Sequence, residues 1–199
     1  MNSKNRLALI KILLIPIFLI FIAVDQIRFG RSIALLIFVI AVVIGYIAQS
    51  KKGETNFSKI IDPLSDTLLI ATALIALVEL RVIDDWIVVV IIGTEFAVTG
   101  LRSIAVSEGI VIEDSKLDKM KNIFQMITTI FALLYINFKK NYEFRNVFEQ
   151  VNFFHVHAGI IEKFLKYSMD VTLGIAFIVT VISCVEYFRS NKGVFMNDK

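Results

Sequence analysis

The chain has 199 residues, 57% of them hydrophobic, a formal charge of +3 and a mean hydropathy of +0.75. That composition excludes an ordinary soluble domain, and positive charge this modest and dispersed excludes a nucleic-acid binder. A single cysteine, Cys184, excludes an internal disulfide and reads as a packing residue.

A helix crossing a bilayer core needs about 20 mainly apolar residues. Six such runs predict an all-α membrane protein of six transmembrane helices in one domain, residues 1–199. The first run, 7–24 (LALIKILLIPIFLIFIAV), is long and no small-residue cleavage site follows it, so it is read as a retained span rather than a signal peptide. The second, 32–48, is uniformly apolar. A polar link at 49–63 leads into the third, 64–80, whose entrance carries Asp62 and Asp66. Four residues apart on a helix, these two share a face. Either they solvate the helix start, where the dipole favours negative charge, or they face a polar cavity or a cation.

The short link RVIDD joins the third span to the fourth, 86–101, where Gly93, Ala97 and Gly100 are small enough for close helix approach. A second polar link, 102–122, carries Arg102, Lys119 and Lys121. These read equally well as anion ligands or as basic charge at a membrane edge. The fifth span is 123–138, and the sixth, 170–188, holds Cys184. Between them, residues 139–166 mix aromatic and charged side chains, as an interfacial, partly helical loop would. His155 and His157 in that loop are a weak metal pair, having no Cys or carboxylate beside them. Most Lys and Arg fall on one side if both termini are cytoplasmic, which predicts that orientation in the cell membrane and places both polar links in the cytoplasm. Acids are expected only near the membrane edges, which speaks against a transport path.

The stretch from Gly45 to Asp66 resembles the CDP-alcohol phosphatidyltransferases, and within them the bacterial phosphatidylglycerophosphate synthases. The family signature is Asp-x2-Asp-Gly-x2-Ala-Arg-x8-Gly-x3-Asp-x3-Asp. Gly45, Ala48, Asp62 and Asp66 match it without a gap, and NRLALIKILLIPIF, NFSKIIDPLSD, EFAVTGLRSIAVSEG and SKLDKMKNIFQM resemble other family blocks in the same order. The departures fall on polar positions. Ala41 and Ile44 stand where the first two aspartates belong, Gln49 replaces the arginine, and Ser58 replaces a glycine. Thr94 and Lys11 each stand for an arginine, Thr67 for a lysine, and Asp118 and Asn122 for a glycine and a threonine.

The resemblance implies a homodimer that binds membrane lipid, with CDP-diacylglycerol as donor. It implies a reaction in which an acceptor hydroxyl attacks the lipid-side phosphorus and CMP leaves. For glycerol 3-phosphate the product is phosphatidylglycerophosphate. Mg²⁺ or Mn²⁺ assists such a transfer, held by carboxylates, while another carboxylate takes the proton. Asp62 and Asp66 would be the remaining metal ligands and Asp66 the base; Lys11, Gly45, Arg102, Lys119 and Lys121 would line the substrate site. With Ala41 and Ile44 unable to coordinate, the expectation is an impaired or inactive relative. One alternative is a weak or altered transferase using Asp62 and Asp66. Another is a non-enzymatic lipid-binding, partner or immunity-type membrane protein.

Overall fold

The computed structural model describes residues 3–24, 26–50, 56–107, 115–140 and 152–191, at some helix ends by backbone alone. Six helices fill these segments: α1 Ser3–Ala23, α2 Gly30–Ser50, α3 Asn56–Glu79, α4 Asp85–Ser107, α5 Lys116–Lys140 and α6 Asn152–Ser190. Each apolar run of the sequence lies on one of them. Four segments are long and apolar enough to cross a membrane: Asn5–Ala23, Gly30–Ala48, Asp85–Ala105 and Gly159–Ser190.

Six spans are expected; α3 and α5 fall outside the four segments that reach the apolarity of a membrane span. Both are interior helices: α3 packs on α1, α4 and α5, while α5 packs on α2, α3 and α6. They carry buried polar side chains, among them Ser65, Thr128, Thr129 and Asn137, which lower their hydropathy but are shielded by their neighbours. Outward-facing Leu13, Val89 and Val185, more than 60% exposed, give the bundle the apolar exterior that lipid requires.

Local chemistry sets the turns. Just past the end of α3, Arg81 adopts a left-handed φ of 56°, while the Arg81 N–H bonds Val78 O at 2.8 Å and the Val82 N–H bonds Leu77 O at 2.9 Å. Those two hydrogen bonds back to the last turn close the helix end, with Arg81 in the left-handed position usually given to glycine. Between α1 and α2 the chain doubles back so tightly that a Cβ on Gly30 would lie 2.7 Å from Phe21 O. α5 opens with a capping box: the Asp118 N–H donates to Ser115 Oγ and the Ser115 N–H to Asp118 Oδ2, both at 3.1 Å.

The core runs along α1, α2, α3 and α5 through Phe18, Phe38, Leu69, Leu74 and Leu133, with the Phe18 and Phe38 rings 6.1 Å apart. Two expectations change here. Residues 152–166, assigned to an interfacial loop, continue the last apolar run as one helix of 39 residues. Charge on one face does not stop a helix, and Lys166 bonds Asp170 at 2.8 Å one turn on. The small residues of α4 are not used for packing within the chain: Ala97 is exposed, and a Cβ on Gly93 or Gly100 would meet nothing within 4 Å.

Candidate functional site

The first polar centre forms where α1, α2 and α3 meet. Lys11 projects from α1 and is 1% exposed; its Nζ donates to Asp66 Oδ1 at 2.5 Å. Asp66 sits on α3 with its side chain 13% exposed. From α2, Gly45 faces both, since a Cβ there would lie 3.3 Å from Asp66 Oδ1 and 3.4 Å from Lys11 Nζ. Its lack of a side chain lets the pair reach the helix backbone. Ala41, one turn earlier on the same face of α2, is fully buried in the core, and Ile44 is half-buried.

A second centre joins α4, α5 and α6. Glu95 of α4 is 7% exposed and accepts from two groups on α5: Lys121 Nζ at 3.1 Å and Gln125 Nε2 at 3.0 Å. The same Gln125 amide donates to Thr180 Oγ1 of α6 at 3.1 Å. Lys121 also lies 3.5 Å from Asp118 Oδ1, which accepts from Ser183 Oγ at 2.5 Å. Burial pushes the Asp118 carboxyl upward, but the Ser183 hydrogen bond, the charge of Lys121, the Ser115 N–H and the charge of Arg102 outweigh it and hold its pKa below the usual carboxylate value. Asp118 is therefore ionised at neutral pH, and Lys121 sits between two carboxylates.

Beside this network, α3, α4 and α5 leave a cleft of about 10 Å³, lined by Thr67, Glu95, Asn122 and Gln125 among isoleucines. Gln125 Oε1 is buried without a hydrogen-bond partner. Turning the amide would set that oxygen against the Glu95 carboxylate, so the assigned orientation is the favourable one.

The sequence-predicted residues divide between these centres. Lys11, Gly45 and Asp66 come together in the first, and Ala41 lies one turn from Gly45 on α2. Lys121 joins the second, where the guanidinium of Arg102 lies 5.9 Å from the ring centre of Tyr187. Lys119 is exposed and apart from both. Thr94 turns its hydroxyl back onto Ile91 O at 2.8 Å, within its own helix. Asp62 lies one turn before Asp66 on α3, Ser58 at the start of α3 and Gln49 at the end of α2; their side chains lie outside the described residues, as do those of His155 and His157. Glu95, Gln125, Thr180 and Ser183 were not singled out from sequence. Glu95 also corrects the expectation that acids keep to the membrane edges, because it lies inside the apolar segment Asp85–Ala105. An ionisable residue within such a run is itself a signal, since burial there demands a partner.

Four apolar candidate spans around two polar interior helices define a multi-pass α-helical membrane protein with buried charge in its core. Residues 1–181 match the CDP-alcohol phosphatidyltransferase family, and the chain belongs to that family. It is 35% identical to the CDP-diacylglycerol--glycerol-3-phosphate 3-phosphatidyltransferase of Bacillus subtilis (strain 168), over 96% of this chain and 95% of the relative. The enzyme of the same name from Rickettsia felis is 28% identical, over 98% and 97%. A probable phosphatidylglycerophosphate synthase of Mycobacterium tuberculosis (strain ATCC 25618 / H37Rv) is 32% identical over 55% of this chain and 56% of its own.

The family typically uses divalent metal. The described side chains do not fit such a centre. Among the described residues no three His, Cys, Asp or Glu side chains converge, and Asp66 is paired with the Lys11 ammonium.

Proposed function

We propose that this chain is a phosphatidylglycerophosphate-synthase-like membrane protein that keeps the family scaffold and has lost the transfer chemistry. In this reading the bundle crosses the membrane six times with both termini in the cytoplasm, pairs as a homodimer, and binds membrane lipid or a partner protein. One observation carries the proposal: where the signature places its first two aspartates, α2 has a fully buried Ala41 and a half-buried Ile44, and Gly45 meets Asp66 without a side chain.

Hard divalent cations need anionic oxygen, and they in turn neutralise the pyrophosphate and the developing charge of phosphoryl transfer. Losing one group that stabilises a transition state costs about 100- to 1000-fold in rate, and groups acting as a unit fail together. The test is CMP release by the purified protein given CDP-diacylglycerol, glycerol 3-phosphate and Mn²⁺. No release above the protein-free control is expected; metal-dependent turnover overturns the proposal.

The retained Asp62 and Asp66 favour a second reading, a weak or altered transferase. Under it a measurable transfer disappears in Asp66→Asn. Equal silence of wild type and variant removes it.

A further inference from the structure

We infer that the Lys11 ammonium is the resident cation of the α1–α2–α3 junction, neutralising Asp66 in place of metal and making the fold independent of divalent ions. The inference rests on the preceding reading and goes beyond it, since loss of turnover does not say how a carboxylate left in the core is kept there.

Three observations carry it. First, Lys11 is 1% exposed although it lies on a helix whose neighbouring positions Leu9, Ile10 and Leu13 face outward. A lysine this deeply buried requires an anion, and Asp66 meets it at 2.5 Å. Second, among the described side chains the two charges cancel: one ammonium and one carboxylate make a neutral unit. Third, the ammonium already holds the oxygen. A hard divalent ion of magnesium size binds carboxylate oxygen at about 2.1 Å, and Lys11 Nζ stands 2.5 Å from Asp66 Oδ1, with Gly45 on its flank, where a Cβ would be 3.4 Å from Nζ. A divalent cation beside the ammonium would be repelled, so metal and ammonium compete for this carboxylate.

The experiment measures thermal unfolding of the detergent-solubilised full chain in EDTA and across a Mn²⁺ titration. The wild type, Lys11→Met and the double variant Lys11→Met with Asp66→Leu are compared. The wild-type melting temperature is expected to be the same in EDTA and in Mn²⁺. Lys11→Met should melt on the order of 10 °C lower in EDTA, because a buried carboxylate has lost its counterion. Mn²⁺ should then raise that temperature saturably, the oxygen now being open. The double variant should recover most of the loss and ignore Mn²⁺. A saturable Mn²⁺ stabilisation of the wild type overturns the inference, as does a Lys11→Met that melts like wild type in EDTA. Should Lys11→Met not fold at all, a folded double variant supports the inference and an unfolded one overturns it. A protein that responds to Mn²⁺ but releases no CMP sinks this inference alone; one that releases CMP while its wild-type melting ignores metal sinks the functional proposal alone.

Discussion

Lys121 stands against Glu95 with Nζ 3.1 Å from Oε2, both side chains under a tenth exposed, in the interior of the half of the bundle built from α4, α5 and α6. An unpaired charge at that depth is far costlier than the pair, so the two residues are bound to each other energetically as well as geometrically. Removing one partner should reveal this. Glu95→Ala leaves Lys121 with Asp118 alone and strips the Gln125 amide of its carboxylate acceptor. A stability loss of about 3–5 kcal/mol is expected from breaking a buried pair, read as a lowered thermal midpoint in detergent. Glu95→Gln should lose less, because its carbonyl oxygen still accepts from Gln125.

Asp118 holds the other side of Lys121 and is fixed by Ser183 Oγ at 2.5 Å. Hydrogen bonds to a charged group are worth about 1.5–3 kcal/mol, so Ser183→Ala should lower stability by that amount. Asp118→Ala should lose about 1 kcal/mol more, since it also removes the capping box with Ser115. The pH dependence follows from the lowered pKa of Asp118, ordinarily 3.8. A carboxyl whose folded pKa is depressed contributes fully above its unfolded pKa and loses that contribution as pH falls through the folded value. The gap between wild type and Asp118→Ala, followed by unfolding at several pH values, should hold steady above about pH 5 and narrow in stronger acid.

How far the sequence reached depends on what each signal measures. Apolar runs located the middle of every helix, because burial or lipid contact selects apolar residues there. They missed the ends: α5 begins at Lys116 rather than 123, and α6 at Asn152 rather than 170. Backbone hydrogen bonding continues a helix through charged residues, and a capping box at Ser115 and Asp118, not hydropathy, sets where α5 starts. The signature spacing puts Asp66 and Gly45 in one site, and the two meet in the structure; Lys11, expected there from a separate block of the resemblance, joins them from 55 positions away. Nor does any motif announce Asn137, which is fully buried, accepts from Ser32 Oγ at 2.7 Å and donates to Arg31 O at 3.2 Å. Such ties between α2 and α5 depend on tertiary neighbours that local sequence does not encode.

Two glycines of α2 offer a contrast between backbone and side-chain obstruction. At Gly30 an added Cβ would lie 2.7 Å from the backbone oxygen of Phe21, which can move only if the α1–α2 turn moves. At Gly45 the contacts are 3.3 and 3.4 Å, to the ends of Asp66 and Lys11. Alanine favours a helix over glycine by about 1 kcal/mol, so Gly45→Ala should be within about 1 kcal/mol of wild type. Gly30→Ala should cost about 1–3 kcal/mol through overpacking. Thermal midpoints of the two variants measured side by side test the difference; equal midpoints would mean that the turn at Gly30 is not constrained as described.

Returning acids to α2 tests whether Ala41 and Ile44 occupy the family's carboxylate positions. Among the described side chains the wild-type junction sets one lysine against one aspartate, and Ala41, one turn from Gly45 on α2, is fully buried. The combined variant Ala41→Asp, Ile44→Asp and Gln49→Arg adds two negative charges near Lys11 and one positive charge at the end of α2. Without metal, several carboxylates must share one buried ammonium, so the variant should melt below wild type in EDTA. A bound divalent ion supplies the missing positive charge. At a concentration 100 times its dissociation constant, it stabilises by about 2.7 kcal/mol, a rise on the order of 5–10 °C in a chain of this size. Mn²⁺ should therefore produce a saturable rise in the variant and none in wild type. CMP release is not expected to return with it, since Thr94 and Ser58 still stand where the signature and its neighbouring block carry an arginine and a glycine. If the variant stays low in Mn²⁺ even when Lys11→Met is added to free the Asp66 oxygen, positions 41 and 44 do not converge with Asp66 on a common ion, and the alignment from Gly45 to Asp66 would have to be abandoned as a guide to the site.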